Sequence, residues 1–337
     1  MHKNPTIAIT MGDPCGIGPE VIAKALTGMA PNLPFKPIIV GSSTIMNRAF
    51  DLIGSPLKAC PIMSPEELVP AGFVALIETL ASSSVSDVPA GRINPIAGKA
   101  SAEWIHAAGI LAIEEKVDGI CTAPVNKASM QLGGSPDLDH QSIFKRMCKS
   151  DRVMTMLMTS GLRVAHLTTH HSFRTACEHV TYANVLESLR LIDTFFKTYG
   201  FSSPRIGVAA LNPHGGEEGL LGNEEVIEIT PAVEAAKLEG INAQGPIPAD
   251  SVFTQAVANN HDVVLAMYHD QGHIAIKVLN WEKSVTMNLG LPFLRTSVDH
   301  GTAFNIAGKG IADSTSMENA LKLAAVVATE GYLPDVY

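Results

Sequence analysis

The sequence predicts an α/β protein made of two α/β/α lobes with mainly parallel sheets and a cleft between them. Three observations predict this class. Short, almost wholly apolar segments, typical of strands covered on both faces, alternate with longer helical patterns. The length of 337 residues exceeds what one compact sheet needs. The composition, 46% hydrophobic and 17% charged, is typical of a well-packed globular core.

The apolar runs predict the strands in chain order. The first, TIAIT, is bounded by polar residues and a glycine turn, and the later ones share its length and its apolar character. The predicted strands are Thr6–Thr10, Pro37–Gly41, Val117–Cys121, Val153–Thr159, Leu162–Leu167, Ile206–Leu211 and Asp262–Met267.

Longer segments between these strands predict the helices. Pro19 stands at the start of the first helix, where its missing N–H costs no hydrogen bond. The predicted helices are Pro19–Met29, Ser43–Leu52, the Ala-rich Ala97–Lys116, Tyr182–Tyr199, Asn223–Leu238 and Met317–Thr329.

No linker separates the lobes, which indicates that the chain crosses between them more than once. We assign residues 1–125 and 290–337 to a first lobe that carries a loop at 298–310. Residues 126–289 form a second lobe, to which we assign the metal and substrate residues and the dimer contacts.

Composition and charge exclude several classes of protein. A net charge of −9 without a Lys/Arg cluster argues against a nucleic-acid partner. No apolar run reaches the roughly 18 residues of a membrane helix, and the first residues do not read as a signal peptide. The five cysteines are scattered without a CxxC pair, which is typical of reduced thiols. We therefore expect a cytoplasmic protein with no membrane association.

Three of the twelve histidines share one position in the pattern. His170, His214 and His269 each follow a predicted strand, in the segments VAHLTTH, IGVAALNPH and VVLAMYH. Ligands bind at the carboxyl ends of parallel strands, and three neutral imidazoles suit a divalent cation with open positions for substrate. A hydrogen-bonded loop histidine is the alternative for each one alone. Asp270, directly after His269, is a candidate to orient it.

Two glycine-rich segments are candidates for a cofactor site. Met11–Glu20 (MGDPCGIGPE) joins the first strand to its helix, and its candidates are Gly12, Asp13 and Gly16, because glycine lets a backbone approach an anion. It matches neither standard nucleotide fingerprint, and a tight βα turn is the alternative. The second segment, Ser297–Gly310, is typical of an adenosine-binding or a connecting loop; its candidates are His300, Gly301, Thr302 and Asn305.

A polar set is the candidate for an anionic substrate. Arg suits bidentate recognition of phosphate or carboxylate, and Lys supplies a positive charge. The set contains His140 in PDLDHQS, Lys277, and Arg295 in GLPFLRTS. A solvated surface charge is the alternative for an isolated Lys or Arg.

Several blocks, in order along nearly the whole chain, resemble the 4-hydroxythreonine-4-phosphate dehydrogenase family. The loop after Ser297 is also similar to the cofactor loop of isocitrate and isopropylmalate dehydrogenases. The blocks are TIAITMGDPCGIGPE, CTAPVNK, the TTH that ends at His170, LNPHGGEEG, MYHDQGH and LGLPFLRTSVDHGTA.

The resemblance implies an isocitrate/isopropylmalate dehydrogenase-like fold and a homodimer with the metal and active site at its interface. It implies a divalent metal at His170, His214 and His269, with ligands drawn from both subunits. Three His ligands favour Zn²⁺, with Mg²⁺, Mn²⁺ and Co²⁺ as alternatives. NAD is the implied hydride acceptor, with NADP as the alternative.

The resemblance also implies the substrate and its contacts. The expected reaction is oxidation, with decarboxylation, of a 4-phosphorylated four-carbon 3-hydroxy acid, as in pyridoxine biosynthesis. Lys277 is the candidate for proton transfer or for the developing oxyanion, and Asp270 is the second catalytic candidate. The implied substrate-site residues are His140, Gln141, Lys277, Thr286, Asn288 and Arg295.

Two residues depart from the pattern of the biosynthetic enzyme, so the resemblance does not decide the substrate. Gln141 stands where the biosynthetic enzyme has Thr, and Thr286 stands where it has Asn, with Asn288 two residues on and on the same strand face. The stretch HDQGHIAIK resembles the branch that oxidises 4-phosphorylated D-threonate or D-erythronate, and a further branch oxidises aromatic cis-dihydrodiols. From the three histidines alone, a metal-dependent hydrolase or aldolase remains a different class of function.

Overall fold

The computed structural model describes residues 4–30 and 32–334, which form two compact units. The first unit extends to Val153 and also contains Leu291–Glu330. The second is Met154–Gly290, joined by the chain from Gly331 onward. Each unit combines helices with a sheet whose strands are mostly parallel, which confirms the predicted fold class.

The strands and helices are numbered in chain order. The strands are β1 Thr6–Thr10, β2 Lys36–Val40, β3 Lys58–Ile62, β4 Phe73–Ile77, β5 Gly119–Thr122, β6 Met154–Thr159, β7 Leu162–His166, β8 Ile206–Ala209, β9 Ala243–Ile247, β10 Val263–Ala266, β11 Val285–Leu289 and β12 Arg295–Val298. The helices are α1 Gly18–Met29, α2 Ser43–Leu52, α3 Pro95–Ile113, α4 Lys127–Leu132, α5 His140–Cys148, α6 Phe173–Glu178, α7 Tyr182–Thr198, α8 Thr230–Leu238, α9 Ala249–Val257, α10 His269–Asn280 and α11 Thr315–Glu330.

The sheet of the first unit is parallel throughout, in the order β3-β4-β2-β1-β5-β12. Helix α3 packs on β1, β2 and β5, and α11 packs on β1, β5 and β12. Ile7, Ala8 and Ile9 of the central strand are consequently fully buried. This burial explains why β1 is an uninterrupted apolar run rather than an alternating one.

The sheet of the second unit has the order β11-β6-β7-β10-β8-β9. Strands β7, β10, β8 and β9 are parallel, whereas β6 and β11 are antiparallel to their neighbours. A turn at Ser160 and Gly161, both with positive φ, reverses the chain between β6 and β7. Leu157, Val164 and Val264 lie in the buried cluster that supports this sheet.

Two segments lie in the other unit from the one to which the sequence assigned them. Residues 126–153 belong to the first unit, because α4 and α5 pack on α3. The chain after Glu330 belongs to the second unit, because Leu333 donates its N–H to Tyr199 and the Pro334 carbonyl accepts from Arg163. Residues 335–337 lie outside the described part of the chain.

The described part of the chain has no helix that is both long enough and apolar enough to cross a bilayer.

Candidate functional site

The three histidines singled out by the sequence follow three neighbouring strands of the second unit. Strands β7, β10 and β8 are adjacent and parallel, so their carboxyl ends share one edge of the sheet. His170, His269 and His214 follow these ends. The rings of His170 and His269 lie 5.8 Å apart between centroids. Among the described residues of a single chain, no three His, Cys, Asp or Glu side chains form a group able to hold a metal ion.

Carboxylates orient two of these imidazoles. His214 Nδ1 lies 3.0 Å from Glu217 Oε1, and His269 Nδ1 lies 2.7 Å from Asp270 Oδ1. A carboxylate oxygen can only accept, so Nδ1 is the protonated nitrogen and Nε2 is the one suited to a metal ion. This carboxylate–histidine arrangement is typical of metal ligands, so the donor set fits a divalent metal.

The loop that carries His214 has an unusual backbone. Residues from His214 to Glu218 all have positive φ, and three of them are not glycine. The buried Glu225 fixes the start of this loop: its Oε1 accepts the N–H groups of Leu211 and Asn212, each at 2.7 Å. Such conformations cost free energy and are retained at ligand sites.

A cavity of about 250 Å³ opens beside the histidines of β7 and β10. His170, His269 and Asp270 line it with the edge-to-face pair Phe173 and Tyr268. Lys277 lies on α10 two helical turns beyond His269, on the same face, and is exposed.

Sequence reasoning missed two further histidines of the second unit. His166, at the end of β7, is buried, and burial together with neighbouring His273 lowers its pKa to about 3. His273 contacts both His166 and His269. The i, i+4 spacing of His269 and His273 is the signal that would have paired them, had α10 been predicted.

The first unit places His140 and Arg295 together. Both are buried, at 8% and 5% exposure. Burial, reinforced by Arg295, lowers the pKa of His140 to about 3, so its imidazole is neutral at pH 7. Burial also lowers the pKa of Arg295 to about 10, which still leaves the guanidinium charged. Arg295 Nη2 donates to Thr122 Oγ1 at 2.5 Å.

Gln141, which departs from the family pattern, and Asn288, two residues after the departure at Thr286, both donate to backbone carbonyls. Gln141 donates its Nε2 to the Val153 carbonyl at 3.0 Å. In the second unit, Asn288 is buried in β11 and donates its Nδ2 to the Met154 carbonyl at 3.2 Å. Thr286, two residues earlier, is partly exposed.

The two glycine-rich segments meet in the first unit. A Cβ at Gly16 would lie 2.8 Å from Thr302 Cβ, and Ile17 donates its N–H to the Thr302 carbonyl. A Cβ at Gly12 would lie 2.4 Å from the Pro124 oxygen. The adjacent cavity, of about 310 Å³, is lined by Pro14, Gly16, Pro19, Glu20, Ile45, Arg48, Ala49, Leu52, Val88, Ala90 and Gly308.

The other predicted cofactor residues differ in burial. Asp13 is buried, and burial raises the pKa of its carboxyl, whose Oδ1 accepts the Cys15 N–H at 2.8 Å. Gly301 and Asn305 are exposed on the loop, and His300 Nδ1 lies 3.0 Å from the Gly301 carbonyl. The two segments are joined at Thr302, which lies against Gly16 and accepts the N–H of Ile17.

Comparison with protein families gives one match over most of the chain. The model described as "Pyridoxal phosphate biosynthetic protein PdxA" matches residues 34–324. Among curated proteins, the chain is 42% identical over 329 residues to a putative D-threonate 4-phosphate dehydrogenase of Halalkalibacterium halodurans, covering 97% of this chain and 98% of that one. It is 42% identical over 327 residues to the D-threonate 4-phosphate dehydrogenase of Cupriavidus necator, covering 96% and 98%.

Among solved structures, the chain is similar to a 4-hydroxythreonine-4-phosphate dehydrogenase from Klebsiella pneumoniae. The TM-score is 0.89 at 37% identity, and the match covers 97% of this chain and 98% of that one.

Proposed function

This chain belongs to the PdxA family and is an oxidoreductase, and we propose that it oxidises the C3 hydroxyl of a 4-phosphorylated four-carbon acid with NAD and a divalent metal ion. The hydroxyl loses a proton, and the C3 hydride passes to NAD. The resulting 3-oxo acid releases its C1 carboxylate as CO₂, and C2 takes up a proton, which leaves a phosphorylated three-carbon ketone.

The buried guanidinium of Arg295 carries the proposal that the substrate is anionic. The guanidinium N–H groups match the oxygens of phosphate and carboxylate, and the carboxylate of Asp139 lies near enough to favour its charged form. Neutral His140 beside it adds a hydrogen bond without adding charge. We assign these two residues to the phosphate or carboxylate of the substrate.

The metal ion would be held by His170, His214 and His269. When bound, such an ion polarises a substrate oxygen, and NAD accepts the hydride. Asp270 holds the ring of His269 in its tautomer, and Lys277 is placed along α10 to receive the hydroxyl proton or to face the developing oxyanion. The contact of Gly16 with Thr302 and the adjoining cavity support a cofactor site in the first unit.

The names of the relatives support D-threonate 4-phosphate as the substrate. A second candidate, 4-phospho-hydroxy-L-threonine, is supported by the TM-score of 0.89 to the Klebsiella structure. The two acids differ at C2, which carries a hydroxyl in the first and an amino group in the second.

NADH production against a substrate panel tests the proposal. Enzyme reloaded with Zn²⁺, Mg²⁺, Mn²⁺ or Co²⁺ is assayed with both acids, with 4-phospho-D-erythronate and with an aromatic cis-dihydrodiol. We expect the highest kcat/KM for D-threonate 4-phosphate, with release of CO₂. A preference for the unphosphorylated dihydrodiol would refute phosphate binding by Arg295. Turnover without NADH would indicate a hydrolase or aldolase.

We also propose that the active protein is a homodimer. Helix α10 begins at the predicted metal ligand His269 and exposes Ile274 and Val278 at 61% and 82%, and Trp281 directly after the helix is 64% exposed. Large apolar side chains grouped on one helix face are typical of an interface. A second copy of this chain at that face would bring further ligands to the metal ion.

A further inference from the structure

A buried histidine, His166, contacts His273, which in turn stacks on His269. His166 is 1% exposed, and its Nδ1 lies 3.4 Å from the Thr155 carbonyl oxygen on β6. Its Nε2 lies 3.1 Å from Nδ1 of His273 on α10. Gly272 permits this approach, since a Cβ there would lie 2.3 Å from His166 Nε2.

The backbone carbonyls determine where the two rings carry their protons. A carbonyl oxygen only accepts, so His166 donates from Nδ1 to Thr155 and presents a lone pair on Nε2. His273 Nδ1 lies 3.0 Å from the His269 carbonyl, so it also carries a proton, which it shares between that oxygen and His166 Nε2. Both imidazoles are therefore held as Nδ1–H tautomers.

His273 in turn packs face to face on His269. The ring centroids are 3.6 Å apart and the planes differ by 11°. Asp270 holds His269 through its Nδ1 atom, while the stacked ring restricts the tilt of the imidazole plane. Together the hydrogen bond to Asp270 and the stacking on His273 restrict the rotation and the tilt of the His269 ring.

We propose that His273, anchored by His166, is a positioning residue for His269, which aims the Nε2 of His269 at the divalent metal ion. The proposal rests on the proposed function, because it takes His269 as a metal ligand. His273 acts through His269 and has no contact with substrate or cofactor in this role.

Titration of the metal-free protein with Co²⁺ tests the proposal without relying on turnover. The dissociation constant and the visible ligand-field spectrum are measured for the wild type, His273→Leu and His273→Phe. We expect Leu to weaken binding about 10- to 100-fold, the usual cost of losing a residue that supports a ligand, and to alter the spectrum. Phe keeps a flat ring for stacking but cannot bond to His166, so it should recover only part of the affinity.

His261→Asn is the matched control, because His261 is a buried histidine of the same unit whose Nε2 lies 3.3 Å from Gln255 Oε1. It should bind Co²⁺ as the wild type does. Wild-type affinity and spectrum in His273→Leu would overturn the positioning role alone. Co²⁺ binding that His269→Ala leaves unchanged would overturn the metal assignment and the positioning role with it.

The tautomers provide a second measurement that does not depend on a variant folding. In the metal-free wild type, ¹⁵N chemical shifts should report Nδ1–H for both His166 and His273. An Nε2–H tautomer at either residue would break the hydrogen-bond chain and overturn the proposal.

Discussion

Arg295 and His140 share a buried environment but differ in charge. Removal from water disfavours the charged form of each side chain, and the effect is decisive for His140 because its ordinary pKa lies close to neutrality. Arg295 starts from a much higher pKa and stays protonated. The pair therefore combines one fixed positive charge with one neutral hydrogen-bonding ring, which suits an anionic group with a neighbouring polar atom.

Replacing Arg295 with Met should lower kcat/KM for the phosphorylated acid about 10- to 100-fold, because a hydrogen bond to a charged group contributes about 1.5–3 kcal/mol. Initial rates of NADH formation measure the effect. Arg190→Met is the control, since Arg190 is exposed and paired with Glu239. Equal values of kcat/KM for the wild type and Arg295→Met would contradict the assignment of Arg295.

Because His140 is neutral in the folded protein, we expect the free energy of unfolding to fall as the pH is lowered. Its folded pKa of about 3 lies below the ordinary value of 6.5, so the unfolded chain binds more protons between these two pH values. The stabilisation is complete above pH 6.5 and is lost as the pH falls toward 3. His140→Asn should reduce the slope of unfolding free energy against pH by up to about 1.4 kcal/mol per pH unit.

Urea unfolding between pH 5 and pH 7 measures this slope. His106→Asn, at an exposed position of α3, should keep the wild-type slope. An unchanged slope in His140→Asn would show that His140 takes up its proton as readily in the folded protein as in the unfolded chain.

The positions of single residues could be predicted where chain topology alone decides them. His170, His214 and His269 follow strand ends, and adjacent parallel strands bring those ends to one edge. The contact between His166 and His273 could not be predicted, because it depends on how α10 packs on β7 and on the missing side chain of Gly272.

Helix α1 and the loop after β12 meet through a glycine that leaves no room for a side chain. Gly16→Ala should raise the KM for NAD and destabilise the protein by about 1–3 kcal/mol, the usual cost of overpacking, because its Cβ would meet Thr302. Added Thr302→Gly removes the side-chain clash but leaves the backbone oxygen of residue 302 about 3.0 Å from the new Cβ, so it should restore part of the stability. Gly28→Ala within α1 is the control, because the nearest atom to its Cβ would be 3.9 Å away.

Cofactor kinetics and thermal melting of these variants test the expectation. A normal KM for NAD in a destabilised Gly16→Ala protein would separate packing from cofactor binding and contradict the assignment of this turn.

Elements with strong apolar patterns were predicted closely. Strand β1 and helix α2 have the predicted bounds. The sequence did not reveal β12, because this short strand begins with a buried arginine, or α10, because HDQG at its start is typical of a loop. The predicted helix Asn223–Leu238 includes a π-helical turn, Glu225–Ile229, before α8, and this turn places Glu225 beside the His214 loop.

At the scale of the whole molecule, Val278→Glu should prevent two subunits from forming the proposed homodimer, because it places a charge on the exposed apolar face of α10. Light scattering should give twice the 35.7 kDa chain mass for the wild type and the single mass for the variant. Lys322→Glu on α11 is an exposed-charge control in the first unit.

Subunit mixing tests whether the metal ligands come from both chains. Suppose that His214 and His269 reach an ion from different subunits. A dimer of one His214→Ala chain and one His269→Ala chain then has one metal site with both histidines and one with neither, so it should regain about half of the wild-type activity. Mixed dimers without activity would place both ligands in the same chain.

The chain path sets a constraint on synthesis at the ribosome. Strand β12 and helix α11, which complete the first unit, are translated only after all of Met154–Gly290. Until then β5 is paired with β1 on one side only, and the part of β1 and β5 that α11 covers stays accessible. The edge of β5 in the nascent first unit therefore stays unpaired while about 140 residues are added. At usual elongation rates this takes roughly 7–30 seconds. Chaperones that bind exposed apolar strands should consequently associate with this chain while Met154–Gly290 is being translated.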